Sequence, residues 1–254
     1  MAVCLNMEAF SGMPSPLAAG AVFRPWHFLS WGLDALVLPT CLLCEQPLPL
    51  GRKPVAIRLP EVLCESCRRR WPKNDAARPK IRGIRALHNL WPYQGSVRPA
   101  VLAAKEEKGS PLLAAWAETA GDLWPTELGA KAPMLIPVPP SKVRRRRGWH
   151  FAAELAEAVA RRRKWIYGPK VGVRMRRLRE VPAQASLDRK SRKGNLRGCF
   201  QLKTGFWRQV PQRVCLVDDV VTTGATLREA ARALQESGVK EVQAWVLARV
   251  PLRL

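Results

Sequence analysis

Two adjacent carboxylates follow a buried apolar run in the stretch VCLVDDVVTTGATL at 214–227. Asp218 and Asp219 are followed by two valines and then by a turn of threonine and glycine at 222–226. The backbone N–H groups of such a turn, at the start of a helix, bind phosphate, and threonine hydroxyls add donors. The carboxylates cannot bind the same phosphate, but they suit sugar hydroxyls or a magnesium ion. The stretch therefore predicts a site for a phosphorylated sugar with free hydroxyls.

Four of the seven cysteines fall in two C-x-x-C pairs, Cys41 with Cys44 and Cys64 with Cys67. Two such pairs at tight turns make a closed tetrahedral Cys4 site, which is the pattern of structural zinc. A redox pair and an iron–sulfur cluster are the alternatives that this spacing leaves open. A closed zinc site has no position for substrate, so we assign this one to folding rather than to catalysis.

The length and composition of the chain set limits on its class. With 254 residues, 47% of them hydrophobic, it can form one sizeable domain with a small appendage. The longest apolar stretch contains Asp34 and Pro39 and is no membrane span. The first residues lack the basic region of a secretory signal, so we expect a reducing, cytoplasmic compartment.

The formal net charge of +23 is the strongest compositional feature. Such a charge favours polyanionic partners: nucleic acid, phosphorylated substrates or acidic surfaces. An arginine-rich protein whose arginines simply replace lysines on solvated faces is the alternative, and the total charge leaves both open. The basic runs KVRRRRG at 142–148 and RMRRLR at 174–179 are local candidates for anion contact.

The elements that would position these residues alternate between strand and helix patterns after residue 80. The predicted strands are 84–93, 133–139, 171–175, 199–203, 213–219 and 241–250. The predicted helices are 97–107, 110–124, 151–163 and 226–238, the last stopped by Gly238. This alternation predicts a parallel α/β sheet covered on both faces. In such a sheet, a buried strand at 213–217 would release Asp218 and Asp219 at its carboxyl end, where ligands bind.

The chain divides into three predicted regions. Residues 1–25 are expected to be a disordered tail. Residues 26–80 are expected to hold an amphipathic helix ended by Pro39 and a double zinc-ribbon-like knuckle formed by the cysteines. Residues 81–254 are expected to form the α/β domain.

The order of an apolar strand, two acids, two apolar residues and T-T-G-x-T resembles a known signature. It is the 5-phosphoribosyl-1-pyrophosphate signature of type I phosphoribosyltransferases, and the resemblance implies that fold for 81–254. It also implies that Asp218 and Asp219 hold the ribose hydroxyls, and that the turn cradles the 5-phosphate. The substrate-binding residues implied by the signature are Val220, Val221, Thr222, Thr223, Gly224, Ala225 and Thr226.

The motifs in their order along the chain are similar to the ComF family of competence-associated proteins. The Cys4 knuckle is followed by IPVPPSKVRRRRGW, by RRLREVPAQASLDRKSRKGNLRGCF and by the signature. Of the family's R-G-F-N-Q segment, Arg147 and Gly148 match, and Trp149, His150 and Phe151 replace the rest. The later segment matches the family at Arg177, Arg179, Gln184, Leu187, Arg192, Asn195 and Phe200, and departs from it at Val181 and Cys199.

This resemblance implies roles outside the signature. The loop after IPVP is the pyrophosphate loop, with Ser141, Lys142 and Arg147 as contacts. Residues 176–197 correspond to a flexible catalytic loop, whose Arg177, Arg179 and Arg192 would close over the pyrophosphate, with Arg177 and Arg179 as the catalytic residues; a solvated basic loop is the alternative. Lys105 matches a lysine common in the family and receives no role.

Two hypotheses about function follow. In the first, the protein binds 5-phosphoribosyl-1-pyrophosphate with Mg²⁺, and as a glycosyltransferase it would pass the phosphoribosyl group to an acceptor that the sequence does not name. In the second, it is a competence factor without enzymatic activity that grips single-stranded DNA during uptake, together with proteins of the competence machinery. The basic runs and neighbouring aromatic residues suit a groove that follows a nucleic-acid backbone.

Overall fold

The computed structural model describes residues 40–48, 62–72, 80–106, 110–123, 132–146, 148–179, 197–205 and 210–251. The predicted tail and the predicted helix that follows it lie outside these residues, so the proposed division at residues 25 and 80 stays a prediction. Arg147 and the segment 180–196, with Arg192, also lie outside them.

The described elements follow the predicted alternation. The helices are α1 (Glu65–Arg69), α2 (Val97–Glu106), α3 (Pro111–Leu123), α4 (Lys142–Arg145), α5 (Phe151–Arg163) and α6 (Ala225–Glu236), with a 3-10 turn at Gly168–Val171. The strands are β1 (Leu87–Pro92), β2 (Met134–Pro137), β3 (Arg174–Arg177), β4 (Phe200–Lys203), β5 (Arg213–Val221) and β6 (Glu241–Arg249). None of the helices in this part of the chain has the length and apolar content needed to cross a bilayer.

A parallel sheet with the strand order β1-β6-β5-β2 forms the centre of the described chain. Its central strands are buried at most positions, because helices cover both faces. Successive residues of β5 face opposite ways: Cys215 joins a buried cluster with α2, α3 and α5, and Leu216 joins a second cluster with α6 and the β3–β4 ribbon. The predicted parallel α/β sheet is confirmed.

The two acids lie inside β5, because the strand extends two residues beyond the end predicted at residue 219. β5 runs on to Val221, and its residues Asp218 and Val220 stand opposite Val246 and Ala248 of β6. Aspartate disfavours strands when considered alone. Here β6 continues alongside β5, and its backbone pairs with β5 as far as Val221. This pairing outweighs the low strand propensity of aspartate.

A small antiparallel ribbon of β3 and β4 lies apart from the main sheet. Its strands alternate between buried and exposed residues, so Met175 and Leu202 face the core while Arg174, Arg176 and Lys203 face solvent. The predicted strand at 199–203 is confirmed. The one predicted at 171–175 is displaced, because Val171 closes a 3-10 turn and Gly172 takes a left-handed φ of 80° before β3 begins.

The turn between β5 and α6 requires glycine at residue 224. Gly224 has φ +72°, and a Cβ there would lie 2.7 Å from Cδ1 of Ile81. A side chain at residue 224 would be strained by the backbone conformation and would force the Ile81 side chain to shift. The turn is therefore fixed by a residue far away in sequence as well as by its own glycine.

We expect Gly224→Ala to lower the free energy of unfolding by about 2–4 kcal/mol, through left-handed strain plus the clash with Ile81. Gly238→Ala is the matched control, since Gly238 has φ +98° but nothing within 4 Å of a Cβ, and it should cost only about 1–2 kcal/mol. Denaturant unfolding of both variants measures the difference. Equal losses would show that Ile81 does not constrain the turn.

Candidate functional site

Asp218 and Asp219 are held by backbone donors at the carboxyl edge of the sheet. Asp218 is half-buried and Asp219 is buried. The Asp219 N–H donates to Asp218 Oδ1 at 2.8 Å, and the Val220 N–H donates to Asp219 Oδ1 at 2.5 Å. One oxygen of each carboxylate is thereby oriented. Such a pair can accept hydrogen bonds from hydroxyls or bind a cation.

Lys105 completes this site from the last turn of α2. Its Nζ lies 2.5 Å from Asp219 Oδ2, and the side chains of Lys105 and Asp219 are only 16% and 9% exposed. The sequence singled out Lys105 but gave it no role, because the pairing joins residues distant along the chain. The structure thus places a cation directly on one of the two signature acids.

The threonine and glycine turn lies between these acids and α6. Thr222 and Thr223 are exposed, Gly224 is buried, and Thr226 is half-buried. The Ala225 N–H donates to Thr223 Oγ1 at 3.4 Å. The first N–H groups of a helix have no partner within it, so the start of α6 offers backbone donors next to the exposed threonines. That arrangement suits a phosphate group.

The loop after β2 leaves the sheet beside β5. β2 and β5 pair in parallel, and the Val138 N–H donates to the Val217 carbonyl at 2.9 Å, which carries the pairing one residue beyond β2. The half-buried Ser141 follows, and the exposed Lys142 begins α4. The structure therefore brings Ser141 and Lys142 to the same edge of the sheet as the acids.

Arg177 and Arg179 lie at the end of the β3–β4 ribbon. The Arg177 guanidinium stacks 5.0 Å above the Phe200 ring, and Arg179 donates to the Arg197 carbonyl. The Leu178 N–H donates to the Cys199 carbonyl at 2.8 Å. Residues 176 and 177 therefore belong to a strand rather than to the flexible loop predicted for 176–197, and the catalytic role of Arg177 and Arg179 stays a prediction.

Glu229 of α6 anchors this ribbon end, and sequence reasoning missed it. Its Oε1 accepts the Gly198 N–H at 2.5 Å, and Arg232 pairs with the same carboxylate at 2.6 Å. Burial alone would raise the pKa of Glu229, but the Arg232 guanidinium and the Gly198 N–H lower it below its usual value. The signal in the sequence was a glutamate between Leu227 and Ala230 on the otherwise apolar face of this helix.

The four cysteines of the predicted knuckle come together. Their Sγ atoms all lie within 4.8 Å of one another, and those of Cys44 and Cys64 are 3.6 Å apart. Zinc–sulfur bonds of 2.3 Å in a tetrahedron require sulfurs separated by about 3.8 Å, so the cluster fits zinc. All four cysteines are free of disulfides. The cluster can hold a structural metal, as the spacing predicted.

Hydrogen bonds within the cluster distinguish its thiols. Burial alone would raise the pKa of Cys64, but the Cys67 backbone N–H, 3.4 Å from its sulfur, and the neighbouring thiols lower it. Burial raises the pKa of Cys67. A sulfur that accepts a backbone N–H is stabilised as thiolate, which is the form that binds metal.

The knuckle packs at the carboxyl edge of β1. Trp71, just after α1, meets Trp91 of β1 edge to face with ring centroids 5.4 Å apart. A Cβ at Gly95, in the loop after β1, would lie 3.6 Å from the Arg70 carbonyl oxygen. Cys41 and Cys67 belong to the same buried cluster as α2 and α3. Metal-dependent order in the knuckle would therefore extend to the sheet.

We expect Cys64→Ser to lose bound zinc and to lower the melting temperature together, since the thiolates and the metal support one local core. Cys199→Ala is the control, because Cys199 is buried outside the cluster and should leave the zinc content unchanged. Zinc is measured by atomic absorption and melting by circular dichroism. A metal-free Cys64→Ser protein with unchanged melting would contradict the structural role.

Comparisons with known proteins match the part of the chain that carries the acids and the turn. A family model described as "Phosphoribosyl transferase domain" matches residues 211–253, which span β5, the turn, α6 and β6. "Competence protein F" of Haemophilus influenzae is 38% identical over 116 residues, covering 45% of this chain and 49% of that protein. "Competence protein ComFC" of Streptococcus pneumoniae is 37% identical over 71 residues, covering 28% of this chain and 31% of that protein.

A longer match reaches "DNA utilization protein YhgH" of Salmonella typhi, 28% identical over 232 residues, covering 82% of this chain and 96% of that protein. The more similar Haemophilus and Streptococcus relatives are matched over about half of their length or less. The domain match, the Cys4 cluster and the parallel sheet occur in one chain, in the order that the motifs predicted. The chain is similar to competence proteins of the ComF type, and its residues 211–253 match a phosphoribosyltransferase-type domain.

Proposed function

We propose that the protein binds 5-phosphoribosyl-1-pyrophosphate with Mg²⁺ at the carboxyl edge of its sheet. The observation that carries the proposal is the placement of the acids and the threonine turn on one strand-to-helix connection. Asp218 and Asp219 are oriented by backbone N–H groups, and the turn presents donors at the start of α6. One end of this connection suits ribose hydroxyls, and the other suits the 5-phosphate.

The neighbouring loop would receive the pyrophosphate. Ser141 and Lys142 follow β2, which pairs with β5, so their loop borders the same space. The Mg²⁺ that accompanies the substrate would neutralise charge on the pyrophosphate as it leaves. Lys142 is exposed and supplies a further positive charge, and Arg147 stays a predicted contact.

Transfer of the phosphoribosyl group is the reaction that this binding would serve. The bond between ribose C1 and the pyrophosphate oxygen breaks, its electrons leave with pyrophosphate, and an acceptor nucleophile forms the new bond to C1. Positive charge develops on the sugar in the transition state, so the protein acts mainly by positioning and by electrostatics. Asp218 and Asp219 would hold the hydroxyls of the sugar while this charge develops.

We expect isothermal titration calorimetry to detect binding of 5-phosphoribosyl-1-pyrophosphate with Mg²⁺ to the wild type. The Asp218→Asn, Asp219→Asn variant should bind at least about tenfold more weakly, because amides accept hydroxyl hydrogen bonds less strongly than carboxylates. A Glu157→Gln variant, which changes a half-buried carboxylate paired with Lys170 away from the proposed site, is the control. A folded, zinc-loaded wild type that does not bind would refute the proposal.

A second candidate function is binding of single-stranded DNA, and the β3–β4 ribbon favours it. Arg174, Arg176 and Lys203 share its exposed face, and Arg174 stands directly opposite Lys203. Like charges at facing positions destabilise a ribbon, and a polyanion would relieve them. These three side chains form no ion pair within the described part of the chain. The relatives are named for competence and DNA utilization, which agrees with this candidate.

We expect the affinity for a single-stranded oligonucleotide to fall steeply with salt, and the slope to shrink by about 2 in the variant Arg174→Gln, Arg176→Gln, Lys203→Gln. Each phosphate contact on a single strand contributes about 0.7 to the slope of log affinity against log salt. The control changes three exposed cations elsewhere, Arg82, Arg161 and Lys240, to glutamine. Equal slopes in the two triple variants would exclude the ribbon as the DNA-binding surface.

A further inference from the structure

The ion pair of Lys105 with Asp219 is the most enclosed one that the structure gives within the described residues. Its side chains are 16% and 9% exposed. Surface pairs such as Lys170 with Glu157, at 2.8 Å, are 67% and 36% exposed. An enclosed pair gains little net stability, because removing both charges from water costs about as much as their attraction returns. Stability alone therefore does not account for a lysine at this place.

The negative charge of Asp218 and Asp219 explains why a lysine lies next to them. Two adjacent ionised carboxylates would oppose a sugar phosphate, whose phosphate group is itself an anion, and would favour a free divalent cation. The Lys105 ammonium group forms an ion pair with Asp219 Oδ2, and the Val220 N–H donates a hydrogen bond to Asp219 Oδ1. Both oxygens of Asp219 are thus engaged, and the net charge of the acid pair is halved before any ligand arrives.

We propose that Lys105 is a positioning and selectivity residue of the sugar-phosphate site, an inference that rests on the proposed function. By neutralising Asp219 it makes the acid pair accept the hydroxyls of an anionic sugar phosphate and reject a free divalent cation. Ribose 5-phosphate then binds without metal, and Mg²⁺ enters the site only with a pyrophosphate group. Lys105 touches neither the phosphate nor the reacting carbon in this role; it acts through Asp219.

The location of Lys105 supports this role. It lies in the last turn of α2, whose residues Val97, Ala100, Val101 and Ala104 are completely buried. Packing of α2 fixes the backbone position of Lys105. Its ammonium group is therefore held beside Asp219 before any ligand binds. The carboxyl end of a helix also favours a cation by its dipole.

The test uses two titrations of the full-length, zinc-loaded protein: ribose 5-phosphate without metal, and MgCl2 alone. Lys105→Met is expected to weaken ribose 5-phosphate binding about tenfold or more, since one positive charge is lost near the anion. It should also gain a Mg²⁺ site that the wild type lacks. Lys105→Arg should restore sugar-phosphate affinity to within about threefold and abolish the gained Mg²⁺ binding, because it restores the charge.

Lys170→Met is the matched control, since it removes a lysine from an ion pair on the surface and should leave both titrations as in the wild type. If Lys105→Met does not fold, Lys105→Gln takes its place, because its amide still donates a hydrogen bond but carries no charge. A folded Lys105 variant with wild-type affinity for ribose 5-phosphate and no Mg²⁺ site would overturn the inference and leave the proposed function intact. A wild type that binds neither ribose 5-phosphate nor 5-phosphoribosyl-1-pyrophosphate would overturn both.

Discussion

The parallel pairing of β5 with β6, carried through to Val221, is the constraint on which the site depends. If β5 ended at Val217, as its apolar run suggests, the two acids would lie on a free loop. Because β6 pairs with β5 to its last residue, each acid has a defined direction, and the backbone N–H groups of Asp219 and Val220 can hold their carboxylates. The adjacent turn then starts α6 from a fixed point. The paired strand thereby fixes the positions of the two acids. A free loop would lose more conformational entropy on holding them in the same place.

Two buried hydrophobic clusters, one on each face of the sheet, support this edge. One cluster joins the sheet to α2, α3 and α5 and includes the cysteine knuckle. The other joins it to α6 and the β3–β4 ribbon. Lys105 reaches the acids from the first layer, and α6 carries the phosphate turn from the second. The candidate site therefore draws on both layers, and its geometry depends on the packing of each against a common sheet.

Much of this arrangement could be predicted from the sequence, because local patterns determine it. The helix at 151–163 and the strands around the signature follow from apolar periodicity, and the Cys4 cluster follows from the spacing of two C-x-x-C pairs. The length of β5 could not be predicted, since it is decided by pairing with β6 rather than by the residues of β5. The contacts of Lys105 with Asp219 and of Glu229 with Gly198 join residues far apart in sequence, and no local pattern reports such contacts.

The positions of individual charged residues tell more about anion binding than the net charge does. The net charge of +23 left solvated arginines and anion binding equally open. The fold separates these possibilities residue by residue: Arg177 stacks on Phe200 and Arg162 pairs with Glu118 and Asp122, while Arg174 and Arg176 face solvent from one side of a ribbon. Of these four arginines, Arg174 and Arg176 are the two whose guanidinium groups are left available to a polyanion.

The contact between Gly224 and Ile81 has a consequence for how the chain can be divided. The segment that matches the phosphoribosyltransferase model begins at residue 211, yet the turn at its heart is packed by a residue from the start of the α/β domain. The segment also depends on β1 and β2, which flank β6 and β5 in the sheet. The recognisable motif is therefore not an autonomous module. A shortened chain that keeps the signature but begins after residue 81 would have the same turn sequence without the side chain that packs against it.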